Sequence, residues 1–252
     1  PKALGKNAGI CARVLVGAIN LALDGAITAN GGLSSGSASG EGSGGSVNLT
    51  LRTLSGAGAI SADGGTTNNA NHTGGGGGRI AIRSRDRATY DAARVTTRGG
   101  DGWYGDGADG TAVLIGEGDL GTELVINGLG AGSSITDLII PPGQTFDSIT
   151  LQNGANVIAQ GPIVLTRTLL LRGDSRLAHP TASEAGLSIT AREVSVESGS
   201  AIDVTGRGYL GGNKTGLGET AHTLEFVAGS QSATGGSHGG PGGDRSSNGA
   251  SL

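Results

Sequence analysis

The residues best placed to do chemistry are two neighbouring aromatics, Trp103 and Tyr104, in the segment DGWYGDGADG (Asp101–Gly110). Trp103 is the one tryptophan of the chain and Tyr104 one of three tyrosines. Surrounded by glycine and aspartate, neither fits the core of a regular repeat. Large aromatics held in water are costly and mark binding surfaces. Their flat faces give contact area at small entropic cost and suit amphipathic ligands, sugar rings above all. The carboxylates of Asp101, Asp106 and Asp109 flank the pair and can accept hydrogen bonds from hydroxyls at a ring edge. A second segment, TTNNANHTGGG (Thr66–Gly76), adds Asn68, Asn69, Asn71 and His72. The pattern predicts a carbohydrate-binding platform. The structural alternative is that Trp103 folds back and lids its own coil.

Metal binding competes for the same aspartates. GGDGWYGDG begins at Gly99 like the calcium-binding solenoid nonapeptide, but Tyr104 stands where that repeat has Asp. EF-hand spacing is absent, so calcium remains an open second use of the loop and no other cofactor is expected. His72, His179, His222 and His238 are scattered without zinc-ligand spacing. GGSHGGPGG (Gly235–Gly243) precedes no helix and reads as a turn array, not a phosphate loop. Glycoside hydrolysis needs two carboxylates across one sugar bond. The candidate pairs are Asp86 with Asp91, Asp106 with Asp109, and Glu193 with Glu197. The last pair shares a strand face at about 13 Å, long for that chemistry. Asp106 and Asp109 lie in a loop without an evident supporting shell. Cys11 is the only cysteine, which excludes an internal disulfide, and no nucleophile–base order stands out.

The loops are carried by repeats. Residues 44–65 and 77–100 each hold an alternating apolar strand, a break, a second alternating segment and a double glycine, and an earlier copy ends in GAITANGG. The closing glycines fall at Gly32, Gly65 and Gly100, and the openings at Gly45, Gly78 and Gly110. A period near 33 predicts one supersecondary unit stacked on itself, with coils about 4.8 Å apart. Val47, Leu49 and Leu51 share a strand face, as do Ile80 and Ile82. The insertions Gly32–Ser43, Thr66–Gly76 and Asp101–Gly110 leave equivalent points and would stack into one surface. Their glycines permit positive φ and close approach to a ligand; the bland reading is loose, soluble decoration. From residue 117 to 205 the coils are leaner, with turns at Asn153–Ala155, Gly173–Ser175 and Ser198–Ser200. Pro141–Pro142 reads as a bend between the halves, and Arg87–Val95 as an irregular connection. The expectation is one domain over 1–252: coils with long insertions (1–116), leaner coils (117–205), and a glycine-rich end (206–252) with a strand at Thr223–Val227.

Composition fits a thin, regular core. Glycine makes up 52 of 252 residues, aromatics are 2% and methionine is absent. Ladders of Ile, Val, Leu and Ala in a solenoid need no large aromatics. The net charge is -4, and no basic stripe is interleaved with aromatics, which argues against nucleic acid. Arg79, Arg83, Arg85 and Arg87, with Asp86 and Asp91 nearby, read as a solvated strand face. No apolar run approaches membrane-spanning length, and no membrane partner is expected. The chain opens at Pro1 in running sequence, which reads as a module excised from an extracellular protein.

The units GGSVNLTLRTLSGAGAISADGG, GGGGGRIAIRSRD, LQNGANVIA, SGSAIDVTGRGYLGG and GGSHGGPGG resemble the Gly-rich right-handed parallel β-helix repeats of secreted or surface bacterial proteins. The resemblance covers nearly the whole chain. A narrower one is to the β-helix carbohydrate-binding module attached to xylan-degrading enzymes. It implies a non-catalytic module that holds plant polysaccharide, chiefly xylan, for a tethered glycoside hydrolase. Only Trp103 and Tyr104 answer to such a role; the missing aromatic row implies modest affinity or recognition through hydrogen bonds. The alternatives are a stalk or adhesin repeat and, third, a polysaccharide lyase or hydrolase.

Overall fold

A computed structural model describes residues 12–34, 40–67, 70–87, 90–116, 121–128, 134–183 and 185–208. In chain order the strands are β1 (Arg13–Ala22), β2 (Ala26–Thr28), β3 (Ser46–Ser55), β4 (Ala59–Ser61), β5 (Arg79–Asp86), β6 (Val95–Thr96), β7 (Thr111–Gly116), β8 (Thr122–Asn127) and β9 (Ile135–Leu138). They continue with β10 (Ser148–Gln152), β11 (Asn156–Ala159), β12 (Ile163–Val164), β13 (Thr168–Leu171), β14 (Arg176–Ala178), β15 (Ile189–Thr190), β16 (Glu193–Val196) and β17 (Ala201–Ile202). The described chain is all β apart from a 3-10 turn at Ala92–Arg94, in which the Ala93 N–H donates to the Asp91 carboxylate. Among the described residues no helix is long and apolar enough to cross a membrane.

Strand pairing follows the sequence period. Val14 pairs with Val47, Val47 with Ile80 and Ile80 with Ala112, steps of 33, 33 and 32 residues. Later, Ile149 pairs with Leu169 and Leu169 with Val194, steps of 20 and 25. The short strands stack likewise, β2 on β4 on β6, and β9 on β11 on β14 on β17. Each step puts an apolar side chain on its equivalent, so Leu49, Ile82 and Leu114 form one fully buried column. Burying such a side chain contributes about 1.5–3 kcal/mol. The lean turns need left-handed backbone: Asn153 and Gly154 have φ of 54° and 76°, the conformation of a two-residue hairpin-type turn.

One pairing departs from the parallel expectation. The main sheet runs β1-β3-β5-β7-β8-β10-β13-β16, and β7 meets β8 antiparallel. Ala112 lies opposite Val125 and Leu114 opposite Glu123. Directly opposed residues share a face, so Val125 joins the first core, as its packing against that core shows. Asn127, on the same face, donates from Nδ2 to the Val95 carbonyl at 3.2 Å. Leu124 and Ile126, which are in line with Ile149 and Leu151, therefore point to the other face. The two halves share one sheet and keep their cores on opposite sides of it. Reversing strand direction and core side together is a half-turn about the stacking axis, which keeps the crossover hand the same. The change of half falls between Gly116 and Gly121. Pro141–Pro142, expected at that boundary, follows β9 inside the second half and lines an apolar hollow of about 300 Å³ with Ile139 and Val164.

All the strands belong to one compact unit, Pro1–Ala178 with Ser188–Asp203. A second comprises His179–Leu187 and Val204–Leu252. In it, Ala182 N–H donates to the Arg207 carbonyl and Arg207 Nη1 to the His179 carbonyl, both at 3.0 Å. The expected strand at Thr223–Val227, the turn array at Gly235–Gly243, Cys11, His222 and His238 lie outside the described residues.

Candidate functional site

The glycine doublets carry the insertions out and back. Their backbones form a relay of N–H···O=C bonds. Gly42 donates to Gly32 at 2.9 Å, Gly65 to Gly42 at 2.9 Å, Gly75 to Gly65 at 3.0 Å, Gly100 to Gly75 at 2.7 Å, and Gly107 to Gly100 at 2.8 Å. The limbs touch backbone to backbone. A Cβ on Gly100 would lie 1.8 Å from the Gly65 carbonyl oxygen, and one on Gly75 would lie 2.0 Å from that of Gly42. These glycines therefore serve close packing of chain on chain, not positive φ or approach to a ligand. The described limbs of the insertions are tied to one another by backbone hydrogen bonds, against the loose-decoration reading.

The Asp101–Gly110 loop is held from both sides. Asp101 N–H donates to Thr66 Oγ1 at 3.2 Å, and Thr67 N–H to the Asp101 carbonyl at 2.9 Å. Tyr104 N–H donates to the His72 carbonyl at 3.2 Å, and Gly74 N–H to the Gly105 carbonyl at 3.0 Å. On the far side Ser134 Oγ donates to the Asp106 carbonyl at 2.7 Å, and Asp109 N–H to Thr136 Oγ1 at 3.0 Å. The expected lack of a supporting shell is therefore wrong: the shell comes from residues about 30 positions away in either direction.

On this rigid tip Trp103 and Tyr104 are 70% and 69% exposed. Trp103 does not lid its own coil. With Thr67, Asp101 and Gly102 it lines a shallow notch of about 300 Å³. Tyr104 Oη donates to Asn71 Oδ1 at 3.1 Å. Gly102 N–H donates to Asp106 Oδ1 at 3.0 Å. The Asp101 carboxyl is raised above the ordinary carboxylate range, chiefly by the Asp106 carboxyl.

Two expected contacts fall elsewhere. His72 is buried, with Nδ1 2.9 Å from Glu41 Oε1 and 3.1 Å from Ser34 Oγ. The carboxylate accepts only, so Nδ1 carries the hydrogen; Nε2 is buried without a partner. That hydrogen bond leads the causes that hold the Glu41 carboxyl below its ordinary range. Asp109 is also buried; its Oδ1 accepts from Gly99 N–H at 2.9 Å and Oδ2 has no partner. Burial pushes its carboxyl up to about 6, with Asp63 adding, against the Gly99 N–H and Arg98. His72 and Asp109 thus hold the loops together and do not reach a surface ligand. Asn69 and Asn68 lie outside the described residues. The residues that the sequence reading missed are Glu41, Ser34, Thr67 and Ser134. Only Glu41 carries a signal, as the sole ionisable residue of the first insertion.

Among the described residues no group of three His, Cys, Asp or Glu side chains could hold a metal ion. No protein-family model, no curated protein and no solved structure matches the chain.

Proposed function

We infer that the chain is a non-catalytic carbohydrate-binding module for plant cell-wall polysaccharide, xylan foremost. In this reading it acts outside the cell, tethered to a glycoside hydrolase that it keeps on substrate. The scaffold is read as a right-handed parallel β-helix in two same-handed stacks. Its parallel registers support that, because crossovers between parallel strands are right-handed almost without exception.

One observation carries the binding reading: adjacent Trp103 and Tyr104 stand 70% and 69% exposed on a loop fixed by hydrogen bonds at both sides. A rigid exposed indole has no packing role, and stacking on a sugar face accounts for it. Asp101, Asp106 and Asn71 supply acceptors beside the rings. The non-catalytic reading is supported by the burial of Asp109, which takes it out of the Asp106–Asp109 pair that glycoside hydrolysis could use. No cofactor is invoked, although calcium remains the rival use of the loop's carboxylates.

The test is affinity electrophoresis through xylan, glucan, mannan and pectin, with and without chelator. The expected result is retardation by xylan that Trp103→Ala abolishes and chelator leaves intact. No retardation on any polymer would favour a stalk. Release of reducing ends would favour an enzyme. Retardation unchanged in Trp103→Ala would overturn the site.

A further inference from the structure

The outward face of the first four strands of the main sheet carries five arginines. Arg79, Arg83 and Arg85 alternate along β5 and are exposed, while Ile80 and Ile82 between them are buried. The pairing register brings two more alongside. Arg13 of β1 pairs with Ser46 of β3, and Ser46 with Arg79. Leu51 and Thr53 pair with Ser84 and Asp86, which puts Arg52 beside Arg85. Arg13 and Arg52 are exposed as well.

The one carboxylate on β1, β3, β5 and β7 is Asp86, exposed at the end of β5 directly after Arg85 and paired with Thr53. Arg87, which the sequence groups with this stretch, is buried and turned to Glu123 at 3.5 Å. Among the described residues no carboxylate pairs with Arg13, Arg52, Arg79 or Arg83. Elsewhere arginines of this chain are matched, Arg98 to Asp63 and Arg176 to Asp203. Like charges on adjoining strands destabilise a sheet, and in a chain of net charge -4 they stand out. Asp86 stands at the Arg85 end of this face, and no carboxylate of these four strands lies beside Arg13, Arg79 or Arg83.

We propose that this arginine face docks a carboxylate-bearing polysaccharide, a polyuronate. Guanidinium groups bind carboxylates through two parallel hydrogen bonds. Arg13 and Arg79 stand two strand spacings apart, about 10 Å, and Arg79 and Arg83 about 13 Å along one strand. Between them Ser46, Asn48 and Thr50 offer neutral donors and acceptors to ring hydroxyls. The face holds no aromatic side chain for stacking bases, and a flat sheet offers nothing to enter a duplex groove. The site uses none of the residues around Trp103 and stands independently of the reading given to them.

The test is affinity electrophoresis of the whole chain through polygalacturonate with chelator present, at low salt and at about 0.3 M NaCl. Arg79→Gln with Arg83→Gln, and separately Arg13→Gln with Arg52→Gln, are compared after thermal melts show both folded. The expected result is retardation at low salt, lost at high salt, about tenfold weaker in either double variant and unchanged in Trp103→Ala. No retardation at low salt, retardation indifferent to all four arginines, or stronger retardation by duplex DNA would each overturn the proposal. Loss in Trp103→Ala instead would assign the polyuronate to the aromatic tip.

Discussion

Tyr104 gives its phenolic hydrogen bond to Oδ1 of Asn71 at 3.1 Å and its backbone N–H to the carbonyl of the next residue, His72, at 3.2 Å. Asn71 has a φ of 153°, a backbone that L residues with a Cβ rarely adopt and that persists only where the surroundings impose it. Here the buried His72 and the Tyr104 phenol impose it from two sides. Asn71→Gly and Asn71→Ala both lose the acceptor, but only alanine keeps the strain. Glycine should therefore be the more stable variant by about 1–3 kcal/mol, read from denaturant midpoints. Equal midpoints would show that no strain is stored there.

Tyr104→Phe isolates the hydrogen bond. The phenol is exposed, so stability should fall by no more than about 0.5–1 kcal/mol. Retardation by xylan should weaken severalfold, because the ring is no longer fixed against Asn71. A variant that binds as well as the parent would mean that the ring needs no such fixing.

Glu41 joins the first insertion to the second through His72 at 2.9 Å. Glu41→Leu removes the charged acceptor and leaves the buried imidazole N–H only Ser34 Oγ at 3.1 Å, which should cost about 1–3 kcal/mol. The sign with pH follows from a folded carboxyl held below its ordinary range. Its contribution is present above the unfolded carboxylate value and is lost as pH falls through the lowered one. Melting curves from pH 7 to pH 3 should therefore converge for parent and variant at the acid end.

The period was legible because glycine doublets mark where each repeat turns outward, and those doublets recur with the pairing register of Val14, Val47, Ile80 and Ala112. The strand reversal was less legible. Alternation reports which residues share a face and says nothing of direction. Its trace is in β8, where Leu124, Val125, Ile126 and Asn127 are all buried. A run without alternation marks a strand covered on both faces. The exposed aromatics were readable from their polar surroundings. The burial of His72 and Asp109 was not, because groups that meet them arrive from distant parts of the sequence, Glu41 at one and Thr136 at the other.

Asp109 opposes the fold at neutral pH. Burial raises its carboxyl from an ordinary 3.8 to about 6, so the folded chain keeps a proton that the unfolded chain releases earlier. Stability from this group is full below the unfolded value and is lost as pH rises from about 4 to about 6. The gap corresponds to about 3 kcal/mol above that window. Asp109→Asn keeps an acceptor for Gly99 N–H and removes the charge. It should stabilise by about 1–3 kcal/mol at pH 8 and by nothing at pH 4, with the difference read from paired thermal melts. A gain independent of pH would place its cause outside the carboxyl.

The glycine relay makes the sharpest contrast. Gly32 and Gly100 close equivalent sequence repeats, and sequence alone does not separate them. A Cβ on Gly32 meets nothing within 4 Å, whereas one on Gly100 would lie 1.8 Å from the Gly65 carbonyl oxygen. That oxygen belongs to a backbone held by Gly75 N–H at 3.0 Å, so it cannot step aside without breaking the relay. Gly32→Ala should be neutral or stabilising by about 0.4–1 kcal/mol, through loss of unfolded-state freedom. Gly100→Ala should cost more than about 3 kcal/mol and displace the following loop. Because Trp103 stands three residues beyond Gly100, its fluorescence reports that displacement directly. The expected result is a shifted indole emission and lost xylan retardation in Gly100→Ala, with both unchanged in Gly32→Ala. Similar midpoints and emission for the two variants would show that the limbs are not in backbone contact.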